Sequence, residues 1–431
     1  MGKIFYYFLI IATILGYTVA MPFLPQLYLF HIIFFLLLFV ILLSFFLRGK
    51  LNLKIKNVKF YLYFFLLWFF WVLISFSWAN DKLLAVKFAF IYFIMFLFLW
   101  FIILYNRNKD ILKTTLKILF FMSLIALIVG TLEIFTDFRL PVSPYSDLSE
   151  YDIDTIQSLG ATPTSLFGNP NNYATFLVFF LPFILFGFQY SLRGKEKIGF
   201  FSLAILIAVN IIMTDSKINI LALLFVVSIY LLFSLIIKFS LNRVIKFFPL
   251  FLIMIFMTFF IVDSNDFLKT RYERTFHAVD AVFSGRYSFY GGDSISIRMT
   301  ILKEITSPPS ISNLLFGFGI GNSRDYLERQ NIPQGIVDPH NWWLEILGDF
   351  GLILLFGYLI FFAFLLKSLW KIIRRKEDPF IVYISSSCFV SLLGFIISSM
   401  GPSSIAYFFP HWILMGLSMV AINLFKKQYI N

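Results

Sequence analysis

Asp338-Pro339-His340-Asn341-Trp342-Trp343-Leu344-Glu345 sets one imidazole between an acid and a pair of tryptophans. A neutral imidazole can take a proton from a hydroxyl, which is general-base chemistry. Asp, then Pro, then aromatics reads as a helix start, with Asp338 as N-cap, Pro339 at the first helical position and His340 in the first turn. The tryptophans then read as an interfacial belt where the chain enters a membrane. A helix N-terminus favours an anion and disfavours a protonated ring, so His340 beside a phosphate would keep its capacity to accept a proton. A lone histidine is more often structural, and the functional reading depends on what stands near it.

Two further patterns precede it. Leu315-Phe316-Gly317-Phe318-Gly319-Ile320-Gly321-Asn322 has the glycine density of a dinucleotide loop, but no βαβ context surrounds it. The nucleotide reading is rejected in favour of a tight turn that brings backbone amides close to a partner. Upstream, Ile295, Met299, Leu302 and Ile305 recur at helical spacing with Arg298 beside that stripe. Ionisable groups also fall in or at the ends of apolar runs: Lys87, Glu133, Asp215, Lys217, Glu345, Asp349 and His411. A charge at a bilayer centre costs roughly 2.5 to 3.5 kcal/mol on insertion scales, so each needs a reason. Lys87 and Glu133 are read as snorkelling structural groups, and His411 as a hydrogen bonder to another helix.

The elements that must position these groups are set by composition. Of 431 residues, 60% are hydrophobic and only 13% charged, with a mean hydropathy of +0.87. Soluble domains carry about 25% charged residues, so a soluble fold is excluded. Spans are expected at residues 4–21, 24–47, 60–78, 83–104, 118–135, 173–190, 200–213, 218–237, 247–262, 343–366, 380–397 and 403–424. The fold class is therefore an all-α integral membrane protein, a polytopic bundle of about 12 transmembrane helices with a large extracytoplasmic loop. The 60 phenylalanines are read as lipid-facing and packing groups. The organisation is residues 1–262 as spans, 263–341 as an extracytoplasmic catalytic loop, and 342–431 as the final spans.

The net charge of +12 sits in short basic clusters between apolar runs, so it is read as topology and not as a nucleic-acid surface. Clusters such as Arg48 to Lys59, Arg107 to Lys117 and Lys367 to Lys376 alternate with poorer loops, which puts both termini in the cytoplasm. The N-terminal apolar run lacks a small-residue cleavage site and is read as the first span. Cys388, the single cysteine, excludes an intrachain disulfide.

The order Phe167-Gly168-Asn169-Pro170-Asn171-Asn172-Tyr173-Ala174, Thr214-Asp215-Ser216-Lys217, Arg298, then His340-Asn341 leading into Glu345 and Gly351 resembles the O-antigen ligase and polymerase superfamily, the WaaL and Wzy proteins. The His-Asn-Trp-Trp-Leu-Glu form is most similar to polymerase-like proteins of teichuronic acid and capsule synthesis. The resemblance implies a GT-C-like glycosyltransferase of a bacterial plasma membrane, acting outside the cytoplasm on an undecaprenyl-diphosphate-linked oligosaccharide and a glycan acceptor. It implies no cofactor and no metal, and admits other polysaccharide-assembly proteins as partners beside the lipid bilayer. Carried over, His340 is the catalytic histidine, Arg298 the loop arginine and Lys217 stands where the family usually has arginine; Asn169, Asn171, Asn341 and Glu345 support them. Lys offers a point charge where Arg offers a bidentate fork, so the diphosphate would be held differently there.

Cleaving a sugar–phosphate bond leaves charge on the diphosphate that fixed cations can stabilise. Lys217 and Arg298 are expected to clamp it, with Arg286 and Arg324 as further cations, while His340 activates the acceptor hydroxyl. Polymerase and ligase readings share this donor site. A lipid-linked-sugar flippase is the rival of another class, but it predicts matched halves and deep charges that the sequence does not display.

Overall fold

The computed structural model describes residues 2–21, 24–48, 56–136, 138–146, 162–237 and 294–429, with 273, 277, 280, 284, 285 and 289 besides. The span expected at 247–262, and Lys269, Arg271, Arg274 and Arg286, lie outside the described residues.

Among the described residues, the protein is helical apart from one short hairpin and the connecting turns. Eight described helices are long and apolar enough to cross a membrane. They are α2 (Leu29–Arg48), α4 (Lys82–Tyr105), α5 (Lys109–Phe135), α6 (Pro170–Tyr190), α7 (Gly194–Met213), α8 (Lys217–Ile237), α12 (Trp342–Arg375) and α13 (Pro379–Ser398). Two shorter apolar helices, α1 (Gly2–Leu15) and α3 (Lys59–Ser75), and the final helix α14 (Phe409–Tyr429) complete the bundle. Three small helices, α9 (Ser294–Thr306), α10 (Ile311–Phe316) and α11 (Asn322–Arg329), lie between α8 and α12 in the chain. The chain is thus a multi-pass membrane protein.

Local chemistry sets the boundaries. Asn169 caps α6 by accepting from the Asn171 and Asn172 amides, with Pro170 in the first turn. Asp81 caps α4, Asn108 caps α5 and Asp378 caps α13 in the same way. The expected spans 4–21 and 24–47 are each shorter as helices, because the chain between them forms a hairpin, β1 (Ala20–Met21) against β2 (Leu24–Tyr28). Pro25 within β2 has no amide to donate to a helix. The last span also starts later than expected: residues 399–408 form a loop and α14 begins at Phe409.

Phenylalanines divide between exposed and packed positions. Phe39, Phe46, Phe70 and Phe356 are exposed, while Phe30, Phe34, Phe98 and Phe101 are fully buried. α14 is enclosed along most of its length, with α4, α12 and α13 packed against it.

Two details of α12 matter for the site. Its helical geometry breaks at Gly351, whose φ of 78° favours glycine, and a Cβ there would lie 2.2 Å from the Leu315 carbonyl oxygen. The break frees carbonyls one turn earlier, and the glycine-rich segment fills them: the Phe318 amide donates to Gly348 at 2.7 Å and the Gly319 amide to Asp349 at 3.1 Å. The partner of the tight turn is the kinked helix itself. Around the part of α12 before Gly351, Ile297, Ile301, Ile305, Leu327, Leu344 and Leu347 form a small core separate from that of the bundle. α9 exists, but its buried stripe is Ile297, Ile301 and Ile305; Leu302 faces outward.

Candidate functional site

The four motifs converge on one short loop between α13 and α14 that the sequence did not single out. Its residues 398–405 read Ser-Ser-Met-Gly-Pro-Ser-Ser-Ile. On one side, Arg298 Nη1 donates to the Met400 carbonyl at 3.3 Å. The His340 amide donates to the Ser403 carbonyl at 3.3 Å, and the Trp342 amide to Ser399 at 3.2 Å. Arg298 and His340 are thereby held against the same turn, 42 positions apart in sequence.

His340 is not in a helix. Asn341, not Asp338, is the N-cap, accepting from the Trp343 amide at 3.0 Å and the Leu344 amide at 3.4 Å, and α12 begins at Trp342. His340 sits just before the cap with φ +48°, a left-handed conformation uncommon for a non-glycine residue. Such strain persists only where its surroundings over-determine it, here the Ser403 bond and the Asn341 cap. Burial lowers the imidazole pKa below its ordinary value; the Arg298 cation lowers it further, against Asp338 and a bond to the Gly401 backbone. The ring is therefore uncharged at neutral pH. Its Nδ1 is buried and has no hydrogen-bond partner among the described residues. Arg298 is itself half-buried in α9, and burial lowers its pKa from the ordinary guanidinium value.

Asp338 has another task. Arg324 Nε donates to Asp338 Oδ1 at 2.7 Å, and its Nη2 donates to Glu345 Oε1 at 3.0 Å. The guanidinium also lies 4.2 Å from the centre of the Phe88 ring. Burial works against the Arg324 charge, but Glu345, Asp338 and Asp349 outweigh it, so its pKa is raised. Arg324 is thus engaged inside the protein and is removed from the cations available to a diphosphate. Glu345 completes the frame by accepting from the Ser404 hydroxyl and, at 3.0 Å, from the Ile405 amide. Glu345 thereby ties the start of α12 to the loop.

The second side of the loop carries the Asn-rich motif. Asn171 Oδ1 accepts from the Ser216 hydroxyl at 2.6 Å. Asn219 Nδ2 donates to Ser216 Oγ at 2.8 Å and to the Asn171 carbonyl at 3.3 Å. The Thr175 hydroxyl lies 3.1 Å from Asn219 Oδ1 and 3.2 Å from the Ser398 carbonyl, with one proton to share between them. Lys217 opens α8 beside this cluster, with its side chain exposed. Its link to Arg298 and His340 runs through Ser216, Asn219 and the 398–405 loop.

Other expectations are corrected. Glu133 does not snorkel: it is fully buried, and accepts from the Thr164 and Ser165 amides, each at 2.7 Å, which anchors the turn before Asn169. Trp342 is buried among Trp68, Tyr358 and His411 and is no belt residue. His411 stacks on Phe395 at 4.5 Å, and its Nδ1 has no partner among the described residues. The sequence also carries one Asp-x-Asp pair, Asp152 and Asp154, which lies outside the described residues. Sequence reasoning missed Asn219 and residues 398–405; the polar Gly/Pro/Ser run between two spans was a loop signal, but a generic one.

Comparison with known proteins bears out the resemblance. Residues 201–359 match the family model Wzy_C, described as O-antigen ligase. That interval takes in Lys217, Arg298, His340 and Glu345 and leaves Asn169 and Asn171 outside. The chain is also 25% identical, over 379 residues, to the teichuronic acid biosynthesis protein TuaE of Bacillus subtilis strain 168. The alignment covers 86% of this chain and 73% of that protein. These matches support a role in membrane polysaccharide biosynthesis, of the glycan ligase or polymerase type.

Proposed function

We propose that the protein is a membrane glycosyltransferase that polymerises undecaprenyl-diphosphate-linked oligosaccharide repeats into a cell-surface polysaccharide, at a site on the extracytoplasmic face of a bacterial plasma membrane. The observation that carries this reading is the meeting of Arg298 and His340 on the 398–405 loop, with the Lys217 end of α8 tied to the loop's other side.

In this mechanism Arg298 and Lys217 hold the diphosphate and stabilise the charge it gains as the sugar–phosphate bond breaks. The acceptor hydroxyl gives its proton to His340 Nδ1, a buried acceptor with no partner among the described residues. The oxygen attacks the anomeric carbon, and the diphosphate leaves with the bonding electron pair. An apolar cleft supports the placement of the prenyl chain. Phe176, Phe179, Phe180 and Phe183 of α6 line it with Leu414 and Leu417 of α14. On α6 its lining begins at Phe176, one residue beyond Thr175, which bonds the Ser398 carbonyl.

The description of the matching family favours a second reading, in which the finished glycan passes to a lipid, protein or wall acceptor. Incubating the purified protein with a lipid-linked repeat separates the two. A product ladder on the same lipid supports the polymerase; product only after a second acceptor is added supports the ligase; no turnover in either case overturns both.

A further inference from the structure

Gly401 lies where the two sides of the site touch. A Cβ built there would stand 2.8 Å from Asn219 Nδ2 and 3.1 Å from Thr175 Oγ1. Real Cβ atoms are not found under 3.0 Å from a heavy atom, so any larger residue would displace either the loop or Asn219. The loop cannot yield without moving reactive groups. Met400 before Gly401 holds Arg298, and Ser403 after it holds the His340 backbone. Asn219 is equally constrained. Both ends of its amide are used, on Ser216, the Asn171 carbonyl and Thr175, and it sits two residues into α8 from Lys217.

We propose that Gly401 and Asn219 form a positioning contact that sets the separation of Lys217 from Arg298 and His340. Neither residue touches the reacting atoms. The contact acts through others: Asn219 fixes the start of α8, and Gly401 lets the loop close on it. The close approach needs glycine, because the amide occupies the volume that a side chain would fill. Thr175 reinforces the contact from α6 by bonding both partners, the Asn219 amide oxygen and the loop carbonyl of Ser398. This inference rests on the site assigned above, and concerns how its two cationic arms are kept at one distance. A displacement of about 1 Å in a reacting constellation can cost on the order of 10²-fold in rate.

The test is a double-substitution cycle in the full-length protein, assayed with a polyprenyl-diphosphate-linked oligosaccharide. Gly401→Ala is expected to lower kcat at least about tenfold and to leave the donor KM within about twofold, since charge–diphosphate contacts persist while alignment is lost. Asn219→Ala alone is expected to lower kcat as well, and the Gly401→Ala, Asn219→Ala double variant to fall no further than the worse single variant, because the amide that the new Cβ meets is gone. Thr175→Val keeps the side-chain shape and removes the shared proton, and is expected to lower kcat in the same sense. It serves if Gly401→Ala fails to accumulate in the membrane. Gly401→Ala within about twofold of wild type overturns the inference, as does a defect confined to KM or a multiplicative double variant. If Gly401→Ala does not accumulate, an unchanged kcat in Thr175→Val overturns it. His340→Ala run alongside separates the levels: if it is inactive while Gly401→Ala is normal, only the positioning contact is lost, whereas a fully active His340→Ala removes the site itself.

Discussion

Arg324 and Glu345 form a buried ion pair at 3.0 Å, with side-chain exposures of 7% and 1%. The same arginine holds Asp338 and the same carboxylate holds Ser404 and Ile405, so the pair brackets His340 from both sequence directions. Removing one member strands a buried charge, which typically costs about 3–5 kcal/mol. Arg324→Ala is therefore expected to lower the melting temperature and membrane yield of the detergent-solubilised protein. An unchanged melting curve would show that the pair does not support the loop.

Arg298 stands differently, with one side-chain hydrogen bond among the described residues, to the Met400 carbonyl, and a half-buried side chain. Loss of one charge-stabilising donor commonly costs about 10² to 10³ in rate. Arg298→Ala is expected to fall in that range with near-normal thermal stability, and Arg298→Lys to recover part of it. Turnover of Arg298→Ala within a few-fold of wild type would remove it from the clamp.

The pH dependence follows from His340. Burial and the Arg298 cation both lower the pKa of the ring, and catalysis needs the neutral form. The acid limb of kcat against pH is expected below the ordinary histidine value of about 6.5. Replacing Arg298 by Gln takes away a charge that disfavours the protonated ring, so the limb should move up. A limb that stays put, or moves down, contradicts the electrostatic coupling.

Fixed cations are proposed to carry the diphosphate charge, yet the sequence also holds an Asp-x-Asp pair, Asp152 and Asp154. Exhaustive EDTA treatment is expected to leave turnover within about twofold of untreated enzyme, as cationic side chains alone can supply the electrostatic stabilisation. Loss of activity restored by a divalent cation would transfer part of the charge-stabilising role to a metal.

Much of the bundle was legible because long apolar runs have few alternatives in a membrane. The capping residue of α12 was not, since Asp338 and Asn341 are both good caps and Pro339 favoured the first. Arg324 decided the matter by taking Asp338, a pairing across 14 residues that no local pattern encodes. The hairpin after α1 was signalled by Pro22 and Pro25, which the apolar run obscured. Residues His340, Arg298 and Lys217 could be picked out by type and order, whereas their link to residues 398–405 depends on tertiary contacts up to 223 positions apart. The rotation of the α9 stripe has a similar origin: apolar residues occur on more than one face, and packing against Leu344 and Leu347 selected Ile297, Ile301 and Ile305.

The central claim is that an imidazole at the outer mouth of the bundle takes the acceptor proton. Its most direct measurement compares wild type with His340→Ala, both reconstituted in liposomes with an undecaprenyl-diphosphate-linked oligosaccharide and assayed for glycan transfer. The account predicts that His340→Ala loses at least about 10²-fold in kcat, with the donor still bound. Transfer by His340→Ala at the wild-type rate would contradict it.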